Sequence, residues 1–207
     1  MASAYLAHVL VRRGMTADAA AVMEDALPQA REVEDPQVVG PALVAAALIE
    51  EARGDFGLAR TRLEEWENAV HDRPYFRTQN LTDAVRIACA AGDVALAERL
   101  REGVVTAAER DRLADLTAEA VIAAAKGDAA AALPAYDEAA AGWREFGCVL
   151  EQGLATLGGA RCRQAAGRTD EASELLENAR EVFNRLGARP LQYLVDEALA
   201  KRSASTG

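Results

Sequence analysis

Histidine and cysteine are the residue types in this 207-residue chain that most often carry catalysis or hold a metal. The two histidines, His8 and His71, lie far apart in sequence, and a lone histidine on a helix is far more often structural or solvated than catalytic. The cysteines Cys89, Cys148 and Cys162 share no CxxC spacing, which predicts neither a disulfide framework nor a zinc site. We therefore predict a non-enzymatic chain without metal or cofactor.

Two glycine-containing segments, GDFG and GGAR, resemble fragments of phosphate-binding loops. Neither completes the GxxxxGK[ST] or GxGxxG pattern, and neither has the strand-then-helix context that such loops need. The acidic pairs Glu50-Glu51 and Glu64-Glu65 are expected to be solvated charges at the ends or on the faces of helices. These segments add no catalytic constellation.

The charge balance excludes several classes of partner. The chain has 23 Lys and Arg against 33 Asp and Glu, a net charge of −10, so we predict neither direct nucleic-acid binding nor membrane attachment. Its apolar runs stop short of the roughly 20 residues that cross a bilayer, and the N-terminus lacks a basic-then-apolar signal segment. With 48 alanines and 21 arginines, the composition is typical of a high-GC genome, and we expect a cytoplasmic bacterial protein.

An internal repeat organises the chain. A glycine is followed five residues later by an alanine in five places, and successive glycines are 40, 38, 35 and 40 residues apart. Each glycine is expected to end one helix in the left-handed conformation, and the alanine to let the next helix approach closely. The five segments are RGMTADAA, RGDFGLAR, AGDVALAE, KGDAAAAL and AGRTDEAS.

This spacing predicts an all-α fold of ten helices in antiparallel pairs, followed by a capping helix. The pairs should cover about 2–35, 36–78, 79–105, 106–147 and 148–188, with a cap helix at 190–201. We predict a single repeat domain over 1–202 and a frayed tail at 203–207. Residues just after each glycine should cap the second helices, namely Thr16, Asp55, Asp93, Asp128, and Thr169 or Asp170.

The glycine-to-alanine pattern, with a second alanine seven residues later in three of the five units, resembles the tetratricopeptide repeat. The resemblance implies a right-handed superhelical solenoid of about five helix pairs. The stretches GDAAAALPAYDEAAAGWREFG and LATLGGARCRQAAGRTDEASELLENAREVFNRLGARP look like the C-terminal repeat arm of multidomain actinobacterial-type signalling proteins. In such proteins a cyclase-like or DNA-binding output domain and an AAA-type ATPase precede the arm.

A solenoid of this kind presents a concave groove lined mainly by the first helix of each pair. Counting back from the glycines predicts its binding residues: His8, Arg12, Glu51, Thr82, Arg86, Thr117, Arg161 and Gln164. Because arginine binds carboxylates and phosphates bidentately, one hypothesis is a groove for an acidic peptide or anionic effector. The alternative is that these arginines pair with Glu or Asp on neighbouring helices.

Aromatic residues mark a second candidate contact. Tyr75, Phe76 and Arg77 follow Pro74 in HDRPYFRTQN, which we predict to be the longest non-helical stretch and either a contact loop or a cover over a junction.

The expected function is a protein–protein interaction scaffold, serving as a recruitment or regulatory arm of a bacterial signalling or transcription-regulating protein. The alternative is a sensor arm that binds a small anionic effector in the groove. We expect a protein or peptide partner, acidic if the arginines bind it. The apolar residues Tyr5, Leu6, Val9 and Leu10 need cover, which predicts a homodimer through the N-terminal end.

Overall fold

The computed structural model describes the backbone of residues 1–205 and the side chains of residues 1–200. This part of the chain contains eleven helices and no strand, and 84% of the chain is helical, so the predicted all-α fold is confirmed. The end of the predicted tail, residues 206–207, lies outside the described residues. The helices are α1 Ala2–Arg12, α2 Thr16–Val33, α3 Pro36–Arg53, α4 Phe56–Ala69, α5 Pro74–Ala90, α6 Val94–Arg101, α7 Glu109–Ala125, α8 Ala129–Phe146, α9 Val149–Ala165, α10 Thr169–Leu186 and α11 Arg189–Ser205.

The repeat glycines and alanines lie in the structure as their spacing predicts. Each glycine has φ between 74° and 81°, in the left-handed region that favours glycine. Each alanine five residues later is fully buried, as expected of a small side chain at a close helix contact. The glycines are Gly14, Gly54, Gly92, Gly127 and Gly167, and the alanines are Ala19, Ala59, Ala97, Ala132 and Ala172.

The helix caps agree with the sequence only in part. Asp55, Asp93 and Asp128 each accept a hydrogen bond from the backbone N–H three residues later. Among the described residues, α2 and α10 instead follow Met15 and Arg168, which make no side-chain capping bond, so capping by Thr16 or Thr169 is wrong. A threonine in the first helical position lies too far along to serve as the N-cap.

The segment after Pro74 is helix, not the loop that the sequence predicts. α5 begins at Pro74 because the fixed φ of proline suits the first helical position, where the missing N–H has no helical acceptor. The Thr78 hydroxyl donates to the Pro74 carbonyl at 3.0 Å, and Arg77 is buried. The prediction of a contact loop at Tyr75, Phe76 and Arg77 is therefore wrong in its premise.

The chain divides into two compact units, Met1–Ala118 and Glu119–Gly207, with the boundary inside α7. In the first unit α3 is the central helix, since α1, α2, α4 and α5 all pack against it. Every residue of α3 from Val39 to Ile49 is buried. The first helices α1, α3 and α5 are thus neighbours in space.

In the second unit α9 packs between α8 and α10, and α11 packs on α10. Phe183 and Leu176 of α10 are fully buried in a core that also includes Val195 of α11. No helix in residues 1–205 combines the length and the apolar character needed to span a membrane. The predicted single domain over 1–202 and the superhelical arrangement stay predictions.

Candidate functional site

Four of the predicted groove residues meet in the first unit, around one carboxylate. Asp83 of α5 accepts a hydrogen bond from Arg12 of α1 and lies 2.7 Å from His8 Nε2. Arg86 Nη1 lies 3.7 Å from Asp83 Oδ1, the oxygen that Arg12 also contacts. The carboxylate of Glu51, on α3, feels the charges of Arg12, Asp83 and Arg86. We call these five residues the Asp83 cluster.

The electrostatics of this cluster follow from its burial. Burial alone would raise the pKa of Asp83, but the charge of Arg12, followed by the charge and hydrogen bond of His8, holds it well below its ordinary value. Burial also raises the pKa of Glu51, and there the charge of Arg12 opposes the rise without cancelling it. Arg12 and His8 therefore keep Asp83 ionised, whereas Glu51 accepts a proton more readily than a solvated glutamate does.

The cluster gives Arg12 an acidic partner on a neighbouring helix, as the alternative interpretation predicts, whereas Arg86 pairs with Asp83 within α5 itself. The carboxylate itself was missed by the sequence analysis, although the repeat register contains a signal. Asp83 lies nine residues before its glycine, where the other units have the uncharged residues Tyr5, Ala45, Ala118 and Gly158. One charged residue at an otherwise uncharged position of the repeat indicates a special contact.

The remaining predicted groove residues are Thr82, Thr117, Arg161 and Gln164. Thr82 is buried, and the Thr117 hydroxyl donates to the Leu113 carbonyl at 2.7 Å. In the second unit Arg161 is exposed, and the Gln164 amide donates to the Ala198 carbonyl at 2.9 Å. These threonine and glutamine contacts are structural.

The aromatic segment borders a cavity of about 320 Å³ in the first unit. Tyr5 and Tyr75 line it and are 55% and 60% exposed, and Asn80 and Arg110 line it as well. Asn80 Nδ2 is buried without a hydrogen-bond partner in the described part of the chain. Arg77, by contrast, donates to the carbonyls of Arg99 and Glu102 and holds the end of α6. Of the three predicted contact residues, Tyr75 reaches the cavity.

The second unit has a wider groove of about 440 Å³, which the sequence analysis missed. Its walls are α8 and α10 and its floor is α9, so we call it the α8–α10 groove. The lining combines small residues with two arginines from opposite walls. The lining includes Asp137, Ala141, Arg144, Gln152, Glu181 and Arg185.

Two of the three cysteines, Cys89 and Cys162, are less acidic than a solvated thiol. Burial raises the pKa of Cys89 to about 11, and it raises the pKa of Cys162 despite the neighbouring charge of Arg163. Among the described side chains, no three His, Cys, Asp or Glu residues are grouped so as to hold a metal ion.

Comparisons with known proteins add no family to this geometry. No family model matches the chain, and a search of curated proteins also found no match. The resemblance to tetratricopeptide repeats and to the arms of signalling proteins thus stays an expectation from the sequence.

Proposed function

We propose that this chain is a non-catalytic protein-interaction scaffold. Its helix pairs form a tetratricopeptide-like superhelical array, which serves as a recruitment or regulatory arm of a bacterial signalling or transcription-regulating protein. The first-helix face of α1, α3 and α5 binds an acidic segment of a partner protein.

One observation supports this proposal above the others. His8 and Arg86, which each stand six residues before their glycine, meet Arg12 and Glu51 on three neighbouring first helices. Asp83 shows that this face accommodates a carboxylate between an arginine and a histidine. A partner carboxylate would bind by sharing these donors with Asp83 or by displacing it.

The test is selection of binders from a random peptide library displayed on phage, using the full chain as bait. We expect acidic sequences to be enriched, and synthetic copies to bind Arg86→Ala more weakly than the original chain. Arg73→Ala is the matched control, because Arg73 is exposed and lies outside the cluster. The proposal is wrong if no sequence is enriched, or if the peptides bind Arg86→Ala unchanged while its melting temperature falls.

A small anionic effector is the second candidate, and the cavity between Tyr5 and Tyr75 favours it. At about 320 Å³ the cavity is within the size range of small-molecule sites, and it offers Arg110 together with the unpartnered amide of Asn80. A panel of small carboxylates and phosphates, screened by thermal shift, tests this candidate. A compound that stabilises the chain but not Asn80→Leu would support it, and no shift with any compound would contradict it.

A further inference from the structure

The α8–α10 groove owes its shape to glycines in its floor helix. A Cβ on Gly158 would lie 2.4 Å from the Tyr136 ring, and one on Gly159 would lie 3.3 Å from Tyr136 Cβ. A Cβ on Gly153 would lie 2.8 Å from both Phe183 and Val182. Larger residues at these positions would push α8 and α10 away from α9. The glycines therefore let both wall helices pack closely on α9.

The groove is polarised from one end to the other. α8 and α10 run in the same direction, because each is antiparallel to the α9 helix that connects them through short turns. Arg144 and Arg185 therefore lie at the same end, in the last turns of their helices. Gln152, in the first turn of α9, lies at that end too. Three side chains that donate hydrogen bonds thus converge there.

The two arginines are available to a ligand. Both are exposed, and neither makes an ion pair or a side-chain hydrogen bond with any residue the structure describes. Two carboxylates also line the groove. Asp137 is occupied by Arg163 at 2.7 Å, which leaves Glu181, one turn before Arg185, as the one competing lining carboxylate. The lining at this end thus carries two arginines against one glutamate, in a chain of net charge −10.

We propose that the α8–α10 groove binds an extended acidic peptide segment of a partner protein, with a carboxylate held between Arg144 and Arg185. The nature of the occupant rests on the scaffold function proposed above, but the groove is a separate site on other helices. Two guanidinium groups match a carboxylate, and the small residues of the floor leave room for a peptide backbone. The lining covers nine residues of α8 and eleven of α10, about 15 Å of helix, which is close to the span of four or five extended peptide residues.

The experiment measures fluorescence anisotropy of a labelled peptide of about ten residues, alternating glutamate and alanine. We expect the full chain to bind it, and Arg144→Ala/Arg185→Ala to bind it at least about tenfold more weakly, since two charge-assisted contacts are lost. Ala141→Trp should weaken binding as strongly without changing the charge, because Ala141 is an exposed wall residue. Arg13→Ala/Arg189→Ala is the charge-matched control, because both residues are exposed and lie outside the groove lining.

Each outcome decides the proposal. If both double variants lose the same affinity for the peptide and Ala141→Trp keeps its affinity, the effect comes from net charge alone. The groove is then not the binding site. If free glutarate displaces the labelled peptide at the same concentration as the unlabelled peptide does, the site binds small carboxylates instead. Binding that depends on Arg86 and not on Arg144 or Arg185 would overturn this inference while leaving the proposed function intact. If peptide binding depends on Arg144 and Arg185 alone, the proposed site on the first-helix face is wrong and the site in the α8–α10 groove is supported.

Discussion

α3 in the first unit and α9 in the second are both first helices of a pair, and each packs between neighbours on two sides. α3 buries an unbroken run of side chains, and the helices on its flanks are joined through the Asp83 cluster. α9 instead has three glycines that admit the rings of Tyr136 and Phe183. The same repeat can thus join its helices either by buried charge or by close approach. Only the second arrangement leaves its wall arginines without partners in the described part of the chain.

Removing the carboxylate that joins α1 to α5 should have the largest effect. Asp83→Asn leaves Arg12 and His8 partly buried without their counter-charge, so we expect a loss of about 3 kcal/mol in the free energy of unfolding. Urea denaturation followed by the fluorescence of Trp66, in a Trp143→Phe background, measures the first unit. Asp72→Asn is the control, because Asp72 is 89% exposed. A loss no larger than that of the control would show that the cluster does not stabilise this unit.

The same variant predicts a pH dependence with a definite sign. Because the folded state lowers the pKa of Asp83, its contribution is present above the ordinary value of about 3.9 and is lost as the pH falls below it. The difference between the original chain and Asp83→Asn should therefore shrink below about pH 4. A difference that is constant from pH 7 to pH 3 would contradict the assigned cause.

A methyl group on the floor helix of the second unit should have the next largest effect. In Gly153→Ala the new Cβ lies 2.8 Å from the fully buried Phe183, and we expect a loss of about 2 kcal/mol despite the better helix propensity of alanine. Gly40→Ala in α3 is the control, since its Cβ would meet Trp66 at an ordinary 3.6 Å. Thermal unfolding followed by circular dichroism measures both. Equal effects would show that α9 has no special need for glycine.

The sequence predicts the fold better than it predicts the site. The repeated glycines and alanines act locally, through φ and through helix contact, so their spacing is enough to predict the ten helices of the five pairs. The start of α5 was missed because Pro74 was interpreted as a breaker, although it fits equally well in the first turn of a helix. The role of Asp83 depends on contacts across more than 70 residues of sequence, and residue spacing alone does not show such a contact.

Neutralising Glu51 should have a smaller effect of the opposite sign. Because the folded state raises the pKa of Glu51, its contribution is present below about pH 4.3 and is lost as the pH rises through the folded-state pKa. Glu51→Gln does not ionise. We therefore expect its free energy of unfolding, measured relative to the original chain, to be about 0.5 kcal/mol higher at pH 7 than at pH 4. Denaturation at the two pH values, with exposed Glu64→Gln as control, measures the gain. A loss at pH 7 would show that Arg12 and Arg86 need this carboxylate.

The smallest effect on folding, but a clear one on assembly, is expected at the outer face of α1. Tyr5, Leu6 and Val9 are about half exposed, which leaves an apolar stripe on the first unit beside the charged cluster. If a second copy covers this stripe, the chain is a dimer and Leu6→Glu makes it monomeric, with its stability as a monomer changed by less than about 0.5 kcal/mol. Light scattering at high protein concentration measures the mass, and Val33→Glu is the control at another exposed apolar residue of this unit. A monomeric mass for the unchanged chain contradicts the dimer. If Leu6→Glu is still a dimer, the dimer contact lies on another face of the chain. The exposed apolar residues of α1 would then play no part in assembly.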